Sequence, residues 1–306
     1  MIALALLLAL AQSGTLVLCG ESFELPEPLA RELAGGAPHL VLDFGAAGVD
    51  PLARSGSPAV RPDLSGEWSV AREAALLPEL ERTRAVVVSA PTWLACWQHF
   101  KPEQKDSRLE QELRAALRAG RPLIASGAAA AYCASWSLVT REEIQRAQRN
   151  PRHEDPNLVA NGLALAEGWM IDTSAQSPGA AARLLRATTN FGNARALYLS
   201  GPVAWIVRGE AHEAEVAGSG CAAVFDLAHA RRSRGDLKEG RLLLLRSGDR
   251  LRFEKELEAL PADLPANPPA KLAVREVPEK ELGLPFELVP SGRGAFEYRF
   301  DWIVAR

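Results

Sequence analysis

The residues whose types could do chemistry gather in two stretches, "GRPLIASGAAAAY" around residues 120 to 132 and "GLALAEGWMIDTSAQSPGAAARLLRA" at residues 162 to 187. In the first, a short apolar run meets small residues and then a helical pattern. A tight strand-to-helix turn ringed by small side chains is where an acyl-transfer nucleophile sits. The residues at that place are Gly127 and Ala128, and neither can attack anything. Ser126, one step earlier, is the fallback nucleophile; read plainly, it is a strand-end hydroxyl satisfied by backbone. It would need a base. His39 opens a buried strand, His153 lies in a polar excursion, and His212 and His229 sit in or beside late turns. His99, in "CWQHF", falls at the carboxyl edge of the sheet, where sites in such folds gather.

Taken in order, the two stretches resemble cyanophycinase and its relatives, a serine peptidase family that includes the aspartyl dipeptidases. "GRPLIASGAAAAY" is similar to that family's strand and GTSAGA elbow, and residues 162 to 187 to its second motif, a strand ending in D-Q-H-F before an arginine-rich helix start. "GPVAWIVRGEAHEAEVAGSGCAAVFD" and "LLLLRSGDRLRF" are similar to later segments, so the resemblance spans about Gly14 to Phe253. It implies a class I glutamine amidotransferase-like fold, with a serine nucleophile at the elbow and a histidine base from the second motif. Here the nucleophile position is Gly127 or Ala128, and the histidine position is Ser174. Asp172 and Arg183 are kept, whereas Pro178 and Ala180 stand where arginines are expected. The family's glycine-rich loop is replaced by "SAPTWLACWQ".

Removing either member of a nucleophile and base pair removes nearly all of its contribution, of order 10⁶ in rate. The expectation is therefore a non-catalytic protein that binds a ligand or serves a structural role. The alternative is a serine-type hydrolase that cleaves peptide or aspartyl bonds through a rearranged site using Ser126. A third reading puts the function in the carboxyl-terminal hairpin. The segments bordering the former cleft carry Trp93, Trp97, Tyr132 and Trp136. These rings either fill vacated space or form a platform for a peptide or other small ligand. Asp172 and Arg183 complete that cleft or form an ion pair across it. Cys133, beyond the elbow, reads as packing.

The elements that must position these residues follow from hydrophobic patterning. "GTLVLCG", "PHLVLDFG", "RAVVVSAP" and "RPLIAS" read as buried strands. Helical patterns separate them, and in "DSRLEQELRAALRAG" Leu109, Leu113 and Leu117 share one face. This alternation predicts a three-layer α/β/α sandwich around a mostly parallel sheet. The domain spans residues 12 to 255, with a Pro-rich linker at 256 to 270. A carboxyl-terminal β extension at 271 to 306 follows, with "SGRG" as its hairpin turn.

The chain has 306 residues and a formal net charge of -3, which gives no reason to invoke nucleic acid. Four cysteines without CxxC spacing give no metal signal, and nothing implies a cofactor. They read as small buried residues, although export would permit disulfides. The opening "MIALALLLALA" is too short to span a bilayer, so no stable membrane insertion is expected. Ala9-Leu10-Ala11 is the pattern a signal peptidase reads, predicting export with cleavage after Ala11.

Overall fold

The computed structural model describes residues 14–20, 23–45, 50–64, 68–101, 107–140, 142–143, 158–173, 179–209, 213–233, 236–253, 257–260, 289–290 and 297–302. The apolar amino-terminal run, His153, Ser174, His212, the prolines of the linker and the "SGRG" turn lie outside them.

The first half alternates strands and helices as the patterning requires. It runs β1 (Thr15–Cys19), α1 (Glu27–Ala34), β2 (His39–Asp43), β3 (Ala59–Val60), α2 (Val70–Arg82) and β4 (Ala85–Ala90). Then come α3 (Trp93–Phe100), α4 (Arg108–Arg118), β5 (Leu123–Gly127) and the short α5 (Ala128–Tyr132). Ser69, Thr92 and Ser107 cap α2, α3 and α4, each side chain accepting an amide three residues on. On α4, Leu109, Leu113 and Leu117 are all buried, each contributing about 2 kcal/mol of apolar burial.

The second half is strand-rich. β6 (Ala134–Val139), β7 (Leu158–Asn161) and β8 (Ala166–Asp172) lead to α6 (Ala180–Asn190). After it come β9 (Arg195–Ser200), β10 (Val203–Arg208), β11 (Glu213–Gly218), β12 (Cys221–Asp226) and β13 (Arg231–Ser233). β14 (Asp236–Leu245), β15 (Arg250–Phe253), β16 (Leu257–Leu260), β17 (Val289–Pro290) and β18 (Glu297–Trp302) follow.

These strands form two sheets, which corrects the expectation of one mostly parallel sheet. The first has the order β16-β15-β11-β10-β1-β5-β4-β2-β3, and the second β17-β18-β14-β12-β9-β8-β6-β7, with β13 on β14. Only the pairings within β1-β5-β4-β2-β3 in the first sheet, and within β9-β8-β6 in the second, are parallel. The remaining pairings are antiparallel. The reason lies at small residues: the chain leaves β9 for β10 through Gly201-Pro202, and returns from β11 to β12 through Ser219-Gly220. β9 pairs with β12 in one sheet while β10 pairs with β11 in the other, so these four strands form one long antiparallel ribbon folded over at its middle. Gly201 (φ 73°) and Gly218 (φ 110°) take backbone that L side chains rarely adopt. A Cβ on Gly220 would meet the Ser200 carbonyl at 2.2 Å.

Alternation along each strand then assigns the faces. Leu16 and Leu18 of β1 share a buried cluster with Leu197 and Leu199 of β9 and Leu243 and Leu245 of β14, between the sheets. Leucines of α2 and α4 and the rings of α3 fill the same layer. Val17 and Cys19 face the other way, toward α1. Tyr198 and Leu244 face outward beneath α6, where Tyr298 and Phe300 of β18 also pack. All four cysteines are free thiols in these cores.

Candidate active-site cleft

β5 carries the elbow. Its last residue, Gly127, has φ 62° and ψ -136°, the sharp reversal that throws the chain from strand into α5. Gly127 lies level with Ala90 on β4, and a Cβ added to it would stand 3.0 Å from the Ala90 carbonyl oxygen. A side chain there would bear both backbone strain and a tight contact.

The second motif converges on this turn. β8 delivers Asp172 and Thr173 to the elbow, and Thr173 Oγ1 donates to the Gly127 carbonyl at 3.0 Å. Asp172 and Thr173 are buried, and Ser174 is the first residue past the described segment. The two stretches singled out in the sequence are thus joined directly.

The helical pattern after the elbow is cut short: α5 stops at Tyr132 and the chain turns into β6. The segment after β7 forces this stop: the Leu163 amide donates to the Tyr132 carbonyl at 2.6 Å and the Leu165 amide to the Cys133 carbonyl at 2.8 Å. Gly162 permits the approach, since a Cβ would meet the Ala134 and Tyr132 carbonyls at 2.3 and 2.4 Å.

A cavity of about 520 Å³ opens beside the elbow. The start of α3, α5, the end of β6 and Asp172, Thr173 and Arg183 wall it. The hydroxyls of its described lining residues are all engaged. Thr92 caps the Ala95 amide, Ser137 donates to the Ala131 carbonyl, Thr140 bonds to Glu143, and Thr173 holds Gly127. No histidine is among the described residues lining it.

The candidate residues separate accordingly. Trp93, Asp172, Arg183 and Ala128 line the cavity. Trp97 stacks behind Trp93 at 5.2 Å, and Tyr132 is wholly buried against Phe100, so neither offers a platform. Trp136 faces the opposite side of the second sheet and packs on Phe191, because its neighbour Ser137 takes the cavity side. Ser126, the fallback nucleophile, is buried. It lies level with Cys19 and Ser89, and shares with Ile124 and Cys19 the face toward α1, away from the cavity.

The described histidines are equally remote. His39 is buried and bonds to Asp50 at 2.9 Å, with Arg61 on the same carboxylate at 3.0 Å, pinning the crossover after β2. His99 is helical, not in a loop; its Nδ1 is 2.7 Å from the Ala95 carbonyl, and its ring stacks on Phe44 at 4.1 Å. Burial lowers its pKa from 6.5, with the nearby Arg72 charge adding to the shift against the Ala95 hydrogen bond. His229 is exposed in a turn after β12. Burial pushes the Cys133 thiol up to about 12 and the Cys96 thiol well above its ordinary value, so neither supplies a thiolate.

Two wall residues were missed in the sequence. Glu143 Oε1 accepts the Leu94 amide at 3.3 Å, and its Oε2 accepts the Thr140 amide at 2.8 Å. Thr140 Oγ1 accepts the Glu143 amide at 3.2 Å. The signal was present as Thr140-x-x-Glu143, the capping box spacing.

No protein-family model and no curated protein matches the sequence. The crystal structure of a peptidase from an acI-B1 Actinobacterium superposes with a TM-score of 0.55 at 14% identity, over 79% of this chain and 99% of that one. The chain has a peptidase-like α/β fold. A candidate Peptidase E protein of Listeria monocytogenes EGD-e superposes at a TM-score of 0.43 and 14% identity, over 66% of this chain and 96% of its own. At these identities the likeness concerns the peptidase-like fold alone.

Proposed function

We propose that this chain is a non-catalytic relative of the cyanophycinase-like serine peptidases. In this reading it is exported and keeps the former active-site cleft as a ligand-binding pocket. The observation that carries the proposal is Gly127: the residue with the elbow's backbone, beside the cavity and bonded to the second motif, has no side chain. Acyl transfer needs an activated nucleophile with a base in reach. Among the described residues, the cavity hydroxyls are committed to structural bonds and the lining holds no histidine. The glutamine amidotransferase-like assignment is supported by the order of the motifs along the chain and by the convergence of Gly127 with Thr173.

The test is covalent labelling with a fluorophosphonate, alongside assays of cyanophycin and β-aspartyl dipeptide hydrolysis. The expected result is neither labelling nor turnover. Labelling lost in Ser126→Ala would establish the hydrolase alternative instead. Export predicts a mature protein beginning at Gln12, and amino-terminal sequencing from the native host that returned Met1 would refute it.

A further inference from the structure

Asn161 and Gly162 form the only Asn-Gly pair in the chain; every other asparagine precedes Pro, Leu, Phe or Ala. The side-chain carbonyl of an asparagine can be attacked by the amide nitrogen of the residue that follows it. A C–N bond forms and closes a cyclic imide, and the side-chain nitrogen leaves as ammonia with the proton that the amide gives up. Water then opens the imide at either carbonyl. One product is aspartate; the other is isoaspartate, whose chain runs on through the former side chain. Glycine favours the first step, since without a side chain it neither shields its nitrogen nor restricts rotation.

The fold holds the reacting nitrogen elsewhere. The Gly162 amide donates to the Ser135 carbonyl at 3.1 Å, continuing the antiparallel ladder in which Asn161 stands opposite Trp136. Extended backbone at Asn161 turns that nitrogen away from the side-chain carbonyl, so the Cα–C bond must rotate before the ring can close. Both sides resist the rotation. Trp93 Nε1 donates to the Asn161 carbonyl at 3.2 Å, and the amides of Leu163, Ala164, Leu165 and Ala166 donate to the carbonyls of Tyr132, Cys133 and Ala134. A hydrogen-bonded amide also keeps its proton from base. We propose that Asn161 is a latent deamidation site, which closes to the imide only when the ladder between β6 and β7 opens.

The two products should then part. Aspartate at 161 leaves the backbone as it was. Isoaspartate lengthens it by a methylene immediately before Gly162, where the carbonyls of Ala134 and Tyr132 leave no room even for a Cβ. It also turns the carbonyl that holds Trp93, a wall of the cavity, into a free carboxylate.

The test incubates the full chain at mildly alkaline pH, folded and in denaturing guanidinium chloride, and follows the peptide holding residue 161 by mass spectrometry. Conversion should be at least about a hundredfold slower in the folded chain, the factor expected where an opening must break several amide bonds first. Guanidinium chloride below the unfolding transition should speed it in parallel with deuterium exchange at the Gly162 amide, because one opening serves both reactions. Equal rates in the two states would overturn the proposal, as would conversion that stays flat while Gly162 exchange rises, or no conversion in the unfolded chain. After the denaturant is removed, chains with aspartate at 161 should refold as unmodified chains in the same sample do, and those with isoaspartate should be depleted from the folded fraction. Isoaspartate kept there at its full share would overturn the argued difference between the products.

Discussion

Thr173 and Gly127, 46 positions apart, are joined by a hydrogen bond of 3.0 Å from a buried hydroxyl to the carbonyl of the elbow. Such a bond holds the end of β8 against the end of β5, so one side chain fixes the geometry of two motifs. Thr173→Val keeps the shape but leaves that carbonyl without its donor, at a cost of about 1–3 kcal/mol. Urea denaturation should show the loss as a lowered midpoint with an unchanged slope.

Restoring the hydroxyl at the elbow should not restore an enzyme. Gly127→Ser places a Cβ at positive φ and 3.0 Å from the Ala90 carbonyl, and should destabilise by roughly 1–3 kcal/mol. Without a base the serine stays unreactive. Rapid fluorophosphonate labelling of this variant would mean that a base lies closer than the described residues suggest.

Gly162 predicts a larger effect. Gly162→Ala drives a methyl into two carbonyl oxygens of the α5 to β6 turn, both held by the neighbouring amides. Neither can retreat without breaking those bonds, so a loss of at least about 2 kcal/mol is expected. Thermal unfolding of the variant checks it.

The carboxylate of Glu110 should behave as a buried staple. It is fully buried, 2.8 Å from Lys101 Nζ and 2.7 Å from an Arg114 nitrogen. Glu110→Ala removes a fully buried carboxylate that bridges Lys101 and Arg114 at the junction of α3 and α4, and about 3–5 kcal/mol should be lost. A variant as stable as the parent would show that solvent reaches this junction.

Stability should fall on mild acidification through His99. Its folded pKa lies below 6.5 because burial disfavours the imidazolium, so the unfolded chain takes up the proton first as pH drops. The contribution is whole above about 6.5 and shrinks as pH falls from there to the lower folded value. His99→Phe, compared with the parent between pH 7 and 5, should show a shallower decline. An NMR titration of His99 with a midpoint at or above 6.5 would contradict the cause.

Much of the first half was legible in the sequence, because continuous apolar runs such as "RAVVVSAP" can only be strands buried on both faces, and Leu109, Leu113 and Leu117 can only share a helix face. The division into two sheets was not. Gly201-Pro202 and Ser219-Gly220 have the composition of hairpin turns, yet they are bends at which the chain changes sheet. Local turn chemistry reports that the chain changes direction, not which partner it meets afterwards. At the site, Asp172 and Arg183 were marked by the resemblance to the second motif, and both line the cavity. Trp136 was not, because the contact of Gly162 with the 132 to 134 stretch, which ends α5 and flips that ring outward, is tertiary. Glu142 and Glu143 were hidden in "TREEIQRAQRN", whose charge reads as a solvated loop.

The folded-over ribbon of β9 to β12 has a consequence for how the molecule comes apart. Its two halves supply interior strands to both sheets, so neither sheet can dissolve without pulling hydrogen-bonded rungs out of the other. Amides of Trp205 and Val224, in different sheets, should therefore exchange with deuterium at one common rate limited by global opening, as a single cooperative unit.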